Sequence, residues 1–186
     1  MKDDWKEVVY VTGNADKATY FSNATGLRLP HRRVDLAEIQ SRDLGEIVMD
    51  KAERAHAILG LPVLVEDVGL EIGAFGGLPG PFVKWFLEAM SLDQICDLVP
   101  ADNRSARAVC SIALYNGTRS RVFEGELLGQ IATKPRGNSG FGWDPIFIPS
   151  GFDVPRAALS EQEDRKTYLS LKPFLMASKF IKGQMD

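Results

Sequence analysis

The stretch "LPVLVEDVGLEIGAFGGLPGPF", residues 61–82, decides the fold that we predict for the chain. Its first five residues are apolar and predict a buried strand, which we place at residues 61–67. Glu66 and Asp67 follow without a break, so the strand is predicted to end in two carboxylates. Four glycines and two prolines lie within residues 73–81. They predict a loop in which the backbone can approach a ligand closely.

Strand and helix signals alternate along the rest of the chain. Further strands are predicted at residues 7–12, 27–36, 106–116 and 119–132, the last two forming a hairpin. Helices are predicted from about residue 15, at 43–59, with Pro81 in a first turn, and at about 170–182. No repeat or linker interrupts these elements. They indicate one α/β domain that spans residues 1–186.

The composition narrows the class of protein. Of the 186 residues, 45% are apolar and 25% charged, which is typical of a soluble globular protein. The net charge of −3 gives no electrostatic reason to expect a nucleic-acid polymer as a partner. No apolar run approaches the ~20 residues of a membrane span, and Met1–Lys6 is too polar for an export signal. We therefore expect a cytoplasmic protein, with Cys96 and Cys110 as reduced core thiols.

The segment "TGNADK", Thr12–Lys17, joins a predicted strand to a predicted helix. Free backbone N–H groups at a helix N-terminus attract anions, and Lys17 lies one turn inside that helix. The segment is therefore a candidate phosphate site that includes Thr12 and Asn14. A tight strand–helix turn with a solvated lysine explains the same residues. The nucleotide-binding P-loop pattern is absent.

Lys51 lies on the apolar stripe of the helix predicted at 43–59, where a lysine is not expected. An unpaired ammonium in an apolar interior costs several kcal/mol. Lys51 is therefore predicted to reach an anion at the end of its side chain. The alternative is that the side chain extends along the apolar surface to water.

Glu66 and Asp67, together with Glu38 near the end of another predicted strand, form a candidate metal site. Carboxylates at strand ends commonly hold Mg²⁺, which prefers oxygen ligands and keeps water for phosphate chemistry. A metal-bound water near Asp67 would be acidified and within reach of a base. The alternative is a surface acid pair that caps the strand, which leaves the adjoining glycine-rich loop unexplained.

Two aromatic residues lie among glycines in "PRGNSGFGWDP", residues 135–145. Phe141 and Trp143 have no obvious core to fill there, and Pro145 restricts the backbone of Asp144 to an extended form. Aromatic faces and a fixed carboxylate can bind a planar base. The alternative is an aromatic plug beneath a loop. Together the candidate sites predict one ligand that has a planar ring, a phosphate chain and a divalent cation.

Three stretches carry a resemblance to a known family. "VTGNADK", "VLVEDVGLEIGAFGGLPGPFVKWFLE" and "KPRGNSGFGWDPIFIPSG" occur in that order, from near residue 8 to residue 151. In these stretches the chain resembles the inosine triphosphate pyrophosphatase family, and its sequence there is most similar to the eukaryotic-type branch. The resemblance implies an elongated α/β fold with a mixed central sheet flanked by helices, two lobes with the active site in the cleft between them, and a homodimer. It also implies a hydrolase that uses Mg²⁺ to convert ITP, dITP or XTP into the monophosphate and pyrophosphate.

The resemblance also implies a role for each matching residue. The residues expected to contact the phosphate chain are Thr12, Asn14, Lys17 and Lys51. Mg²⁺ binding falls to Glu38 and Asp67, with Asp67 also orienting or deprotonating the attacking water and Glu66 in support. Contacts to the purine fall to Phe141, Trp143, Asp144, Lys166 and, at a position that departs from the family, Lys172.

The departure is at the start of the last predicted helix. The family carries Ser-His-Arg there to recognise the purine 6-oxo group, whereas this chain has Ser170-Leu171-Lys172. The leucine side chain, in place of histidine, cannot form hydrogen bonds. The lysine, in place of arginine, replaces a planar guanidinium group with several N–H donors by a single ammonium group. Loss of these hydrogen-bond donors is expected to reduce base selectivity more than catalysis. Three possibilities stay open: a pyrophosphatase with altered base preference, a non-catalytic nucleotide-binding homologue, and a phosphohydrolase of another phosphorylated metabolite.

Overall fold

The computed structural model describes residues 5–185. Most of the N-terminal stretch Met1–Lys6, in which we predict no export signal, lies outside the described residues. Strands and helices alternate along the chain, and the predicted α/β class is confirmed. Within the described range, no helix is both long enough and apolar enough to cross a membrane.

Seven strands within residues 5–185 form one mixed sheet. They are β1 (Val9–Val11), β2 (His31–Arg32), β3 (Val63–Ile72), β4 (Pro79–Gly80), β5 (Ser105–Tyr115), β6 (Ser120–Ile131) and β7 (Phe147–Pro149). Their order is β2-β1-β3-β5-β6-β7, and β4 pairs with β3 beside this path. β1 is parallel to β2 and β3, whereas the β3–β4 and β6–β7 pairs are antiparallel. The mixed sheet agrees with the resemblance.

Six α-helices occur in the described part of the chain. They are α1 (Ala15–Thr25), α2 (Leu44–Leu59), α3 (Val83–Ala89), α4 (Leu92–Leu98), α5 (Glu161–Leu171) and α6 (Phe174–Ile181). α2 shows how the sequence sets the ends of a helix. The carboxylate of Asp43 accepts hydrogen bonds from the backbone N–H groups of Gly45 and Glu46. Gly60 ends the helix with φ of 65°, in the left-handed region that favours glycine.

The described chain divides into two compact units. Unit 1 comprises residues up to 67, residues 110–124 and residues from 172 onward, and unit 2 comprises residues 68–109 and 125–171. The core of unit 1 joins β1, α2, β3 and β5 through small apolar side chains, among them Val9, Val48, Ala52, Ala55, Val63 and Ala113. β3, β5 and β6 each contribute residues to both units. The assignment of residues 1–186 to a single domain stays a prediction.

The strand predicted at 61–67 is longer than we expect from its apolar residues. β3 runs to Ile72, so Glu66 and Asp67 lie inside it, and the prediction that the strand ends at these acids is wrong. Backbone pairing explains the difference, because Leu70 lies opposite Gly80 of β4. A Cβ on Gly69 would lie 2.9 Å from the backbone of Gly80, so a glycine is needed for this close approach.

The helix predicted at about 170–182 is wrong at its start. Ser170 lies in the last turn of α5, and α6 begins only at Phe174. Pro173 separates the two helices because proline lacks an N–H, clashes with a preceding helical turn and disfavours helix in the residue before it.

The other predicted elements agree with the structure to different degrees. The hairpin predicted at 106–116 and 119–132 is confirmed by β5 and β6. Pro81 precedes Phe82, the N-cap of α3, and so lies outside the first turn predicted for it. The strand predicted at 27–36 is reduced to the two residues of β2. α4 and β7 are short elements that the sequence pattern did not predict.

Candidate active site

The carboxyl end of β1 is the point at which the strand order reverses. From β1 the chain passes through α1 to β2, and then through α2 to β3 on the other side of β1. In parallel α/β arrangements, ligands bind outside the carboxyl ends of the strands at such a switch point. Tyr10 lies opposite Leu64, and β1 ends one residue later at Val11. Glu66 and Asp67 therefore lie just beyond the end of β1.

The turn that follows β1 is held by its own side chains. Asn14 Oδ1 accepts a hydrogen bond from the backbone N–H of Asp16 at 2.9 Å and so caps α1. Thr12 Oγ1 accepts from the backbone N–H of Asn14 at 3.0 Å. Lys17 lies in the first turn of α1. The tight strand–helix turn is confirmed, whereas the solvated lysine of that alternative is wrong, because Lys17 pairs with Glu66. Phosphate binding by Thr12, Asn14 and Lys17 stays a prediction.

Lys51 reaches two carboxylates from the apolar stripe of α2. Its Nζ lies 2.8 Å from Asp67 Oδ2 and also pairs with Glu38. The prediction that Lys51 meets an anion at the end of its side chain is confirmed. Burial would lower the pKa of Lys51, but Asp67 and Glu38 outweigh burial and raise this pKa above its ordinary value.

Glu66 is buried between two lysines. Its Oε1 lies 2.7 Å from Lys17 Nζ and 3.1 Å from Lys172 Nζ. The side chain of Glu66 is 1% exposed and that of Lys172 6%, whereas that of Lys17 is 30% exposed. Burial would raise the pKa of Glu66, but Lys172 and Lys17 outweigh burial and hold the pKa at about 2.

The predicted base-binding loop presents its two aromatic rings in different ways. Phe141 is 79% exposed, whereas Trp143 is only 7% exposed and packs edge-on against Phe147 with ring centroids 5.5 Å apart. The expectation that no core needs these rings is therefore correct for Phe141 and wrong for Trp143. The exposed ring of Phe141 can stack on a planar group without rearrangement of the core of unit 2.

Asp144 is buried and holds this loop together. Its Oδ2 accepts from the backbone N–H of Phe141 at 2.7 Å, and its Oδ1 accepts from Arg156 Nη1 at 2.9 Å. Arg156 is itself buried and also donates to Asp164 and Thr167. The predicted contact between Asp144 and a base edge stays a prediction, because both carboxylate oxygens already have partners within unit 2.

The remaining predicted contacts lie on or just after α5. Lys166 is exposed on that helix. Leu171 is buried at its end, and Lys172, the next residue, is engaged by Glu66. The structure therefore gives neither Leu171 nor Lys172 a free polar group with which to bind a base edge.

Glu38 and Asp67 are the donor pair that the sequence predicts for Mg²⁺. Both carboxylates bind the single ammonium of Lys51, so their oxygens converge on one positively charged point. Mg²⁺ takes oxygen ligands and usually binds through one or two carboxylates together with substrate phosphates and water. Among residues 5–185, no group of three or more His, Cys, Asp or Glu side chains could hold a metal ion by itself. The donor set fits a Mg²⁺ ion that a phosphate helps to hold.

Two buried ion pairs are not predicted from the sequence. Arg156 lies in no predicted helix, so it lacks the periodic signal that identifies Lys51, and only the apolar residues Ala157, Ala158 and Leu159 after it indicate burial. The pairing of Glu66 with Lys172 joins residues 106 positions apart. Such a distant pairing leaves no periodic signal in a single sequence.

Known proteins resemble this chain over most of its length. The model of the Ham1 family matches residues 8–170. The chain is 36% identical to an inosine triphosphate pyrophosphatase of Batrachochytrium dendrobatidis, with 97% of each chain covered. It is 39% identical to the enzyme of the same name from Schizosaccharomyces pombe, over 85% of this chain and 86% of the relative. Among solved structures, a HAM1 protein from Coxiella burnetii shares 25% identity with a TM-score of 0.83, over 95% of this chain and 98% of that one. The resemblance predicted from the three motifs is thus confirmed, and the chain belongs to the Ham1 family.

Proposed function

We propose that the protein is a Mg²⁺-dependent nucleoside triphosphate pyrophosphatase that converts ITP, dITP and XTP into the monophosphate and pyrophosphate. The observation that carries this proposal is the convergence of the Asp67 and Glu38 carboxylates on the Lys51 ammonium, beyond the end of β1. The adjoining Lys17–Glu66 pair adds a second, partly exposed cation in the same unit. The names of the two curated relatives support the substrate class.

The phosphate chain would bind to groups of unit 1. Lys17 and Lys51 would supply two positive charges, and the turn from Thr12 to Asn14 would supply polar groups at the N-terminus of α1. Lys51 is held by Asp67 and Glu38, so its ammonium group is positioned before a ligand arrives. Preorganised charges stabilise a developing anion more than mobile ones because no reorganisation accompanies the reaction.

Hydrolysis would begin with attack of a water oxygen on the α-phosphorus. The bond from that phosphorus to the oxygen that bridges to the β-phosphorus breaks, and pyrophosphate leaves with the electron pair. Asp67 would orient the water and accept its proton, with Glu66 in support. Mg²⁺, when held by Glu38 and Asp67, supplies positive charge that offsets the charge on the phosphate oxygens.

The base would bind to residues of the loop that precedes β7 and to residues near α5. Phe141 would stack on the purine, with Trp143, Asp144, Lys166 and Lys172 as the further contacts that the resemblance implies. Burial of Leu171 and the engagement of Lys172 by Glu66 favour a second candidate, a pyrophosphatase of the same mechanism with weak base selectivity. A site without donors for the 6-oxo group discriminates poorly against purines that lack it.

Pyrophosphate release from ITP, dITP, XTP, dUTP, ATP and GTP tests the proposal when each is assayed with Mg²⁺ and with excess chelator. Release that requires Mg²⁺ and prefers ITP, dITP and XTP supports the first candidate, and comparable rates across the purines support the second. Absence of release from every triphosphate, despite measurable nucleotide binding, would identify a non-catalytic homologue instead. A homodimer and a cytoplasmic location are further parts of the proposal, to be tested by light scattering and by localisation of the tagged protein.

A further inference from the structure

Lys172 is buried beside Glu66, at a position for which the resemblance implies a contact with the base. We propose that Lys172 is a positioning residue: it remains on Glu66 as a permanent counter-ion and so releases Lys17 to bind the triphosphate. This inference rests on the proposed function, because a triphosphate is the anion that Lys17 would bind.

The two lysines share one acceptor but differ in access to solvent. Both ammonium groups contact Glu66 Oε1, so the two like charges lie close together and repel each other. Lys17 is 30% exposed, whereas Lys172 is 6% exposed. An anion that arrives from solvent therefore meets Lys17 first. Movement of Lys17 toward that anion also relieves the repulsion.

The buried carboxylate decides which lysine can leave. If Lys17 were the only partner of Glu66, its departure would leave a buried, ionised carboxylate unpaired, which is strongly unfavourable. Lys172 removes this penalty because it keeps Glu66 paired while Lys17 moves. Without Lys172, Lys17 is expected to stay on Glu66 and to bind phosphate weakly.

A ligand without a base separates this role from a contact with the purine. Inorganic tripolyphosphate carries the phosphate chain alone, so a residue that only contacts the base does not affect its binding. Binding of tripolyphosphate to the full chain in the presence of Mg²⁺, measured by calorimetry, therefore tests the proposal directly.

In this measurement Lys172→Met should weaken tripolyphosphate binding by about 10- to 100-fold. Glu66→Gln should bind at least as tightly as the parent, because no buried charge then holds Lys17. In the Glu66→Gln background, Lys172→Met should change the affinity by less than about threefold. Lys84→Met is the matched control, since Lys84 is exposed and contacts Glu88 and the Trp85 ring, and it should bind like the parent.

Kinetics with ITP supply a readout that loss of structure alone would not give. Lys172→Met should raise KM by about the same factor as it weakens tripolyphosphate binding, with kcat within about threefold of the parent. A general loss of folded protein would instead lower kcat and leave KM unchanged. Release of pyrophosphate from the nucleotide panel is scored separately, so failure of the proposed function is seen there whatever the tripolyphosphate affinities are.

Parent-like tripolyphosphate affinity in Lys172→Met would overturn the inference. An equal loss of affinity in both backgrounds would overturn it as well, because the effect of Lys172 would then not pass through Glu66. If Lys172→Met does not fold, Glu66→Gln decides alone, and weakening of tripolyphosphate binding by more than about tenfold in that variant would contradict the proposal.

Discussion

Lys51 Nζ lies 2.8 Å from Asp67 Oδ2, although the two residues are 16 positions apart in the sequence. α2 carries Lys51 on the same stripe as Val48 and Ala52, which are fully buried against β1 and β3. A charge on such a stripe is tolerated only when it is paired. The apolar pattern of α2 and the acids of β3 therefore depend on each other, and together they fix a cation beside the proposed catalytic carboxylate.

Replacement of this lysine should affect catalysis more than folding. Lys51→Met is expected to lower kcat/KM for ITP by about 100-fold, because the variant loses the preorganised phosphate contact that we propose for Lys51. The melting temperature should change by only a few degrees, because methionine suits the apolar stripe and Asp67 and Glu38 keep access to water. Steady-state kinetics and a thermal melt measure the two effects.

Lys84→Met provides the control for this substitution. Lys84 is exposed and its pairing with Glu88 is long, so both measurements should match the parent. Parent-like kcat/KM in Lys51→Met would show that Lys51 is only a structural partner of Asp67.

Asp67→Asn should remove turnover without unfolding the protein. The amide keeps the shape of the side chain but loses the charge that we propose orients and deprotonates water and binds Mg²⁺, so kcat should fall by about 10³-fold or more. Glu71→Gln is the matched control, because Glu71 lies on the same strand and pairs with Arg107 at 2.8 Å. Hydrolysis of ITP by Asp67→Asn at the rate of the control would exclude the assigned role.

Much of the site in unit 1 could be predicted from the sequence because its signals are local. The capped start of α1, the lysine on an apolar helix stripe and the acids after an apolar run each occupy a few consecutive residues. The prediction that Lys51 pairs with an anion rests on the free-energy cost of burying an unpaired charge. The extension of β3 to Ile72 could not be predicted in this way, because a strand ends where its backbone partners end and β4 comes later in the chain.

The residues that we propose to bind the base were harder to predict for a different reason. Glycines around Phe141 and Trp143 predict a loop but not which ring faces the interior. Trp143 is buried because Phe147 of β7 offers it an apolar partner, and the three-residue β7 is too short to leave a periodic pattern. Arg156 orders the same loop through Asp144, a contact that joins two irregular segments.

Arg156 should be a major source of stability in unit 2. Arg156→Met leaves the buried Asp144 carboxylate without its cation, and the free energy of unfolding should fall by about 3 kcal/mol. Arg107→Met is the control, because Arg107 makes its two ion pairs at the surface and should contribute at most about 1 kcal/mol. Urea unfolding of both variants measures the difference, and equal losses would argue against a buried network.

The two aromatic residues of the loop should separate binding from stability. Phe141→Ala should leave stability within about 0.5 kcal/mol of the parent, since the ring is exposed. It should raise KM for ITP by about tenfold through the loss of base stacking, with no change in tripolyphosphate affinity. Trp143→Ala should instead lower the free energy of unfolding by about 3 kcal/mol, because it opens a cavity beside Phe147. Full activity with ITP in Phe141→Ala would remove the stacking role from this residue.

The two cysteines should be unreactive while the protein is folded. Burial raises the pKa of Cys96 to about 11 and that of Cys110 to about 12, so neither forms a thiolate near pH 8. In the unfolded chain both thiols ionise near their ordinary pKa of ~8.5. Their contribution to stability is therefore complete below about pH 8 and is lost as the pH rises from there toward the folded-state values.

A chromogenic disulfide reagent at pH 8 checks this prediction. It should modify neither thiol of the native protein within minutes, and both thiols in denaturant. As the urea concentration is raised, the rate of thiol modification should increase in proportion to the fraction of unfolded protein. Rapid modification of one thiol under native conditions would show that the interior around that cysteine opens without global unfolding. Because Cys110 lies near Lys172 and Glu66, whose charges act on its pKa, rapid labelling of Cys110 would also mean that this ion cluster is accessible to solvent.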